Sequence, residues 1–310
     1  MMKHGCSISV DQTDFHRALK ASDLAYGELQ RKSRIRVLLD IALDWLTILA
    51  MTCFVWRAGI YAIPVAIIVI GNRQRAMGNI LHDAGHRNLF NSDKTNDLVA
   101  VFLLAPALFN SLAIYRKLHS RHHAFLGDPL RDPDYITVIT GRQSSWWLTY
   151  RKYIFSFGCW RGSVMGHLGT PELSLKRTAY IYFWWLAILS VAAIVMNVQF
   201  ALTFFALWMI AKASVFHMVT TFREMCDHFG LEPGGIFSFT RDISTLSPLR
   251  WIIHPRNNGY HLTHHLMPSI PYYRLHRAHE HFIQLPLYME RSMRCRTYFY
   301  GKAAVIQSNG

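Results

Sequence analysis

His261-Leu262-Thr263-His264-His265 decides the reading of this chain. Two relatives of it stand upstream, His119-Ser120-Arg121-His122-His123 and His82-Asp83-Ala84-Gly85-His86. On a helix, positions i and i+4 share a face and i+3 lies close to it, so each cluster can aim its ring nitrogens one way. The three clusters hold eight of the 17 histidines. Neutral imidazole is the commonest metal ligand and suits iron, zinc, copper and nickel. Eight such groups exceed the needs of one tetrahedral zinc but suit two metals of higher coordination. A single histidine in an apolar chain is more often a packed core residue. Three clusters of this spacing, set between apolar segments, predict a metal site.

Composition places those clusters at a membrane. Of 310 residues, 51% are hydrophobic and only 17% charged, and the apolar ones come in blocks. The net charge of +14 fits positive cytoplasmic loops facing anionic lipid. Nucleic-acid binding would need basic clusters interleaved with aromatics on a soluble domain, and the pattern does not supply them. The five cysteines are scattered and never form C-x-x-C, which points to a reducing compartment and no thiolate metal site.

Read in order, residues 1–35 form a polar cytoplasmic segment. Residues 37–80 form a first helical hairpin: Val37–Val55 is long enough to span, and the shorter run Gly59–Gly71 carries on into the first cluster. Pro64 is expected to kink that second helix, and Asp40 and Asp44 are read as solvated helix-end residues. Residues 98–115 are apolar but broken by Pro106 and Asn110-Ser111. One crossing there would put the first two clusters on opposite membrane faces, so the segment is read as re-entrant or interfacial. Residues 116–177 are a basic, aromatic-rich insertion suited to the headgroup layer. Residues 178–219 form a second hairpin, whose returning run Phe200–Val219 has Lys212 and His217 as its only charged or titratable positions, and residues 220–310 form a cytoplasmic cap and tail. His276, His279 and His281 in the tail are read as surface residues. The expected fold is therefore an all-α integral membrane protein. It has four transmembrane helices in two hairpins, a re-entrant segment, and a cytoplasmic helical cap holding a two-metal site.

In order and spacing the three clusters resemble the histidine boxes of the membrane fatty acid desaturase superfamily. The run Asn258-Gly259-Tyr260-His261 through Pro268-Ser269-Ile270-Pro271 resembles its bacterial acyl-lipid, sphingolipid and carotenoid-oxygenase branches. The resemblance covers about residues 35–285. It implies a non-haem di-iron centre that uses O2 and two electrons on an unactivated C–H bond. It also implies a fatty acyl or other lipid substrate and a separate electron donor of ferredoxin, rubredoxin or cytochrome b5 type. Expected metal ligands are His82, His86, His119, His122, His123, His261, His264 and His265, with His228 as a ninth. Glu224, one turn before His228, stands where stearoyl-type desaturases present an asparagine. Ligand imidazoles need acceptors for their second N–H, and Asp83, Asp227 and Asp134 are candidates, with Asn258 able to orient a ligand or a water. Trp184, Trp185, Trp208 and Phe216 are candidate lining for a substrate tunnel. The resulting expectation is desaturation of a lipid- or thioester-linked acyl chain. Its rivals are a hydroxylase or ketolase on a lipid or carotenoid, and a non-enzymatic membrane metal-binding protein.

Overall fold

The computed structural model describes residues 4–22, 26–136 and 145–306; residues 137–144 of the basic insertion lie outside them. The chain is mostly helical. Its elements are α1 (His4–Lys20), α2 (Arg34–Ala58), α3 (Ile63–Gly85), α4 (Asp93–Leu103), α5 (Leu112–Ala124), α6 (Trp146–Ile154) and α7 (Phe157–Met165). There follow α8 (Leu175–Val195), α9 (Val198–Ala211), a π turn (Lys212–Phe216), α10 (His217–His228), α11 (Ile236–Phe239) and strand β1 (Arg241–Ile243). The chain closes with α12 (Arg250–Ile253), α13 (His261–Leu266), α14 (Leu275–Phe282), α15 (Pro286–Arg291) and strand β2 (Met293–Cys295). Two compact units interleave along it. One is built from Met1–Lys32, Arg116–Lys152 and Phe222–Gly310, the other from Ser33–Tyr115 and Tyr153–Thr221.

The second unit is apolar. Arg34–Gly85, Leu175–Val195 and Val198–His228 are the three helical stretches, among the described residues, long and apolar enough to cross a membrane. Ser33 caps α2 by accepting the Arg36 N–H, a device worth about 1 kcal/mol. Gly59, at φ 73°, closes α2 in a conformation that disfavours side-chain-bearing residues. The chain then turns, and α3 packs back along α2. Pro64 therefore does not kink a helix; it sits in the first turn of α3, where its missing N–H is harmless. Leu39, Leu43 and Leu46 on α2 and Phe183, Leu186 and Ile194 on α8 are exposed, apolar surface of the kind lipid covers.

Asp40 and Asp44 are not solvated helix-end residues. Both are buried, Asp44 pairing with Arg73 of α3 at 3.1 Å and Asp40 with Arg36 at 2.9 Å. The partner of Asp44 lies on the returning helix, which spacing along α2 alone cannot reveal. The apolar run 98–115 is not one helix: α4 ends at Leu103, residues 104–111 turn irregularly, and α5 starts at Leu112. Trp185 and Trp208 pack together at 5.3 Å, Trp208 fully buried and stacked on Trp45 at 5.5 Å. His217 is a satisfied core histidine, bonded to Ser163 Oγ (2.8 Å) and the Ile154 carbonyl (3.1 Å).

The first unit carries the second and third boxes. The polar N-terminal segment is an amphipathic helix that buries Ile8, Phe15 and Leu19, with Phe15 edge-on to Phe282 at 4.7 Å. Strands β1 and β2 make one short parallel pair, Asp242 opposite Arg294. The strand β1 also packs on α13, with the Ile243 N–H donating to the Gly259 carbonyl at 2.7 Å. This pair is a small departure from an all-helical reading.

Candidate metal centre

Three short helical faces place the histidines of the first unit. Helix α5 presents His119, His122 and His123, α10 ends on His228, and α13 presents His261, His264 and His265. His122, His228, His261 and His265 are all buried, and each offers a ring nitrogen within 4.8 Å of the others. The Nε2 atoms stand close in sequence around this group: His228 to His261 at 2.9 Å, His261 to His265 at 3.0 Å, His265 to His122 at 3.3 Å. Beside it, His123 Nε2 lies 3.0 Å from His119 Nε2 and 3.1 Å from His264 Nε2.

Hydrogen bonds on the far side of the rings decide what those Nε2 atoms can do. His228 Nδ1 lies 2.8 Å from the Phe239 carbonyl oxygen. A carbonyl only accepts, so Nδ1 carries the proton and Nε2 presents a bare lone pair. His122 Nδ1 is 2.8 Å from Asp132, which fixes its Nε2 inward in the same way. Lone pairs that converge at such distances repel unless a cation lies among them. Metal–nitrogen bonds of about 2.1 Å at right-angled or tetrahedral angles put ligand nitrogens roughly 3.0–3.4 Å apart, close to the separations seen. The residues present therefore fit a metal with imidazole ligands.

Electrostatics agree. Burial, with neighbouring rings adding to it, holds the His265 imidazole well below its ordinary range. Burial does the same for His261, against the opposing pull of Asp227. Both are neutral, the form a metal takes. Burial alone would lower His122 too, but the hydrogen bond and charge of Asp132, with Asp134, outweigh it and raise that ring.

The other expected residues are placed as follows. His82 and His86 close α3 in the second unit, ring centroids 5.1 Å apart, with the buried Asp83 carboxylate 3.5 Å from His82 Nδ1. Asp227 is buried, bridging Arg223 at 2.6 Å and His254 at 3.3 Å, and lies 3.8 Å from His261 Nδ1. Asp134 stands 3.8 Å from His122 and is half exposed; the close acceptor is Asp132. Asn258 is buried in the lead-in to α13, just after Arg256 and Asn257, both at positive φ. Glu224 belongs to neither converging group; its side chain is 46% exposed, 3.4 Å from Arg223.

Several supports escaped the sequence reading. Asp132, also holding the Gly127 and Asp134 N–H groups at 2.9 Å, lies in the turn-rich Asp128–Asp134 loop, of whose acids the sequence singled out Asp134 instead. Asp242 of β1 accepts from the Thr263 N–H (3.0 Å), Thr263 Oγ1 (2.5 Å), His279 Nδ1 (2.8 Å) and Tyr288 OH (2.5 Å). His279 is thus a buried structural residue, not a surface one. Asn96 braces the end of the first box, its Nδ2 donating to the Ala84 carbonyl at 3.0 Å and its Oδ1 accepting from the Leu89 N–H at 3.1 Å.

Comparison with known proteins agrees with this geometry. The family model described as fatty acid desaturase matches residues 55–297. The chain belongs to the fatty acid desaturase family. It is similar to dihydrorhizobitoxine desaturase of Bradyrhizobium elkanii, 28% identical over 272 residues, 80% of this chain and 75% of that protein. It is also similar to the human sphingolipid delta(4)-desaturase/C4-monooxygenase, 27% identical over 210 residues, 63% of this chain. The chain spans little more than half, 58%, of that second relative. Membership makes it a membrane oxidoreductase of the desaturase type, with histidine groups able to hold metal.

Proposed function

We propose that this desaturase inserts a double bond into a lipid- or thioester-linked fatty acyl chain at a di-iron centre, consuming O2 and two electrons from a separate ferredoxin, rubredoxin or cytochrome b5 type donor. The observation that carries the reading is the convergence of seven histidines, His119, His122, His123, His228, His261, His264 and His265, into two groups within one unit. One iron would be held by His122, His228, His261 and His265, the other by His119, His123 and His264. His82 and His86 are assigned as further ligands on their box spacing. Bound iron supplies an O2 site and the one-electron oxidising power that an unactivated C–H bond requires. The chain's own residues do the rest: Asp132 and the Phe239 carbonyl orient ligand rings, and Asp83 and Asp227 lie beside ligand histidines. Burial of the four-histidine group keeps bulk water from the reacting carbon. Asn258 and Glu224 remain assigned to the neighbourhood of the metals, Glu224 as an orienting carboxylate.

The apolar stretches support four crossings, Arg34–Gly85 counting as two because Gly59 folds it back, with residues 98–115 re-entrant. The boxes then share the cytoplasmic face, where most Lys and Arg fall. Hydroxylation is the second reading, favoured by the monooxygenase half of the sphingolipid relatives' name. Lipid profiling of cells expressing the chain with each donor type decides between them. A product lighter by two hydrogens is expected; a product heavier by one oxygen would replace desaturation with hydroxylation.

A further inference from the structure

One surface patch of the first unit runs inward to the metal centre. On α6, Trp147 is 46% exposed, yet its ring lies flat on Phe299 of the C-terminal segment, centroids 6.1 Å apart and planes within 3°. Tyr300, 6.2 Å from Phe299 and 81% exposed, extends the face. From there ring contacts lead inward. Phe299 meets the buried Tyr298 at 6.1 Å, and Phe222 of α10 lies against Tyr298, Phe299 and Trp147 together. Tyr298 lies parallel to His254, centroids 5.7 Å apart, with its hydroxyl 2.9 Å from His254 Nδ1. His254 Nε2 is 3.3 Å from Asp227, which stands 3.8 Å from His261 Nδ1 and directly precedes His228. The line of rings thus ends beside two histidines of the buried four-histidine group.

The charge around the outer end has one sign. Residues 145–152 and 293–306, the two segments that meet at Trp147 and Phe299, hold Arg151, Lys152, Arg294, Arg296 and Lys302 and no Asp or Glu. Arg151, Lys152, Arg296 and Lys302 are exposed. Glu224, two residues past Phe222, is 3.4 Å from Arg223, which offsets its charge. Aromatic residues and arginine are enriched where proteins dock, and a rim of one charge steers a partner of the opposite sign. A membrane anchor would also use exposed aromatics beside cations. It would have no use for a line of rings leading from that surface to the metal ligands, and this line favours a partner that delivers electrons.

We infer that this face is the docking site of the electron donor, an acidic redox protein. The inference names the partner surface of the function given above and rests on that reading for the need of a donor. Two one-electron transfers per turnover oxidise the donor and reduce the metal pair. No bond forms or breaks, and the rings are the path between the two centres, not reactants. Electron tunnelling weakens steeply with every gap in the intervening matter, so a face joined to His261 by ring contacts and hydrogen bonds suits the transfer. Redox encounters of this kind are small, burying under about 1,200 Å². An aromatic centre rimmed by four exposed cations is of that scale.

The test is calorimetric titration of the purified full-length chain in neutral detergent, without reductant or turnover. The probes are an acidic plant-type ferredoxin, a rubredoxin and the haem domain of cytochrome b5. Wild type should bind at least one of them, more weakly as salt rises. The triple variant Lys152→Glu, Arg296→Glu, Lys302→Glu should weaken that binding at least about tenfold, and Trp147→Ala at least about threefold. An equal reversal elsewhere on the same unit, Lys20→Glu, Arg31→Glu, Arg277→Glu, should change it less than about twofold. Thermal unfolding of both reversed chains should match wild type. In nanodiscs carrying spin-labelled lipid, Trp147 emission, read as wild type minus Trp147→Phe, should stay unquenched. Binding of none of the three carriers, unchanged affinity in the triple variant, an equal loss in the control reversal, or quenching of Trp147 by lipid would each overturn the assignment. Lipid profiling tests the desaturase reading separately. Binding lost in the triple variant of a chain that forms no product would leave the docking face standing and remove that reading. Unchanged binding in a chain that forms product would remove the docking face alone.

Discussion

Replacing Asp242 tests how the third box is held. Helix α13 has six residues and no side-chain cap of its own at Tyr260. Thr263 is its third residue, the one whose N–H an N-cap side chain ordinarily serves. Asp242 serves it from β1 instead, and gathers Thr263 Oγ1, His279 and Tyr288 on the same carboxylate. Asp242→Ala removes a cap worth about 1 kcal/mol. It also takes the shared acceptor from three buried donors, of which Thr263 Oγ1 and His279 Nδ1 keep the Tyr288 hydroxyl at 3.1 Å, so one is left unpaired at roughly 1–3 kcal/mol. A net loss of about 3–4 kcal/mol is expected, a large share of a typical margin of about 5–15 kcal/mol. At about 2–4 °C per kcal/mol the unfolding midpoint in detergent should fall by at least about 5 °C. Iron retention during dialysis against a chelator should fall about 10–100-fold, as when a ligand's support is removed. Thr263→Val leaves the backbone cap and should cost only about 1 kcal/mol. A wild-type midpoint with wild-type iron in Asp242→Ala would refute the reasoning.

Asp132→Ala should lower iron affinity about 10–100-fold by freeing His122, whereas Asp134→Ala, 3.8 Å away and half exposed, should change it little; competition with a chromogenic chelator compares the two. His228→Ala should be inactive and short of metal, and normal iron by elemental analysis would remove it from the ligand set. Glu224→Gln, altering a half-exposed carboxylate beside Arg223, should keep its iron and lose turnover. Lost iron would make Glu224 a ligand, and full turnover would remove it from the site.

The boxes were legible because their geometry is local: spacing of three and four residues decides which rings share a helical face. Helices rich in apolar residues were legible for the same reason. What supports the boxes was not. Asp132 lies ten residues from His122, and Asp242 lies 21 residues from Thr263. Nothing in a run of residues says which loop carboxylate closes on which ring. Asp44 shows the same limit from the other side. Read along α2 alone it belongs at a wet helix end, but the fold returns Arg73 to it at 3.1 Å and buries its carboxylate. His279 read as a tail residue because its partners, Asp242 and Tyr288, are brought to it only by packing. Even where the spacing was plain, as at Lys212, the sequence showed a charge in an apolar helix and gave no hint of the π turn.

Metal content of the purified chain tests the central claim most directly. After iron-replete expression, elemental analysis should find two irons per chain, one for each converging histidine group, and no stoichiometric zinc. Stoichiometric zinc with no iron under those conditions would contradict the redox centre on which the function rests.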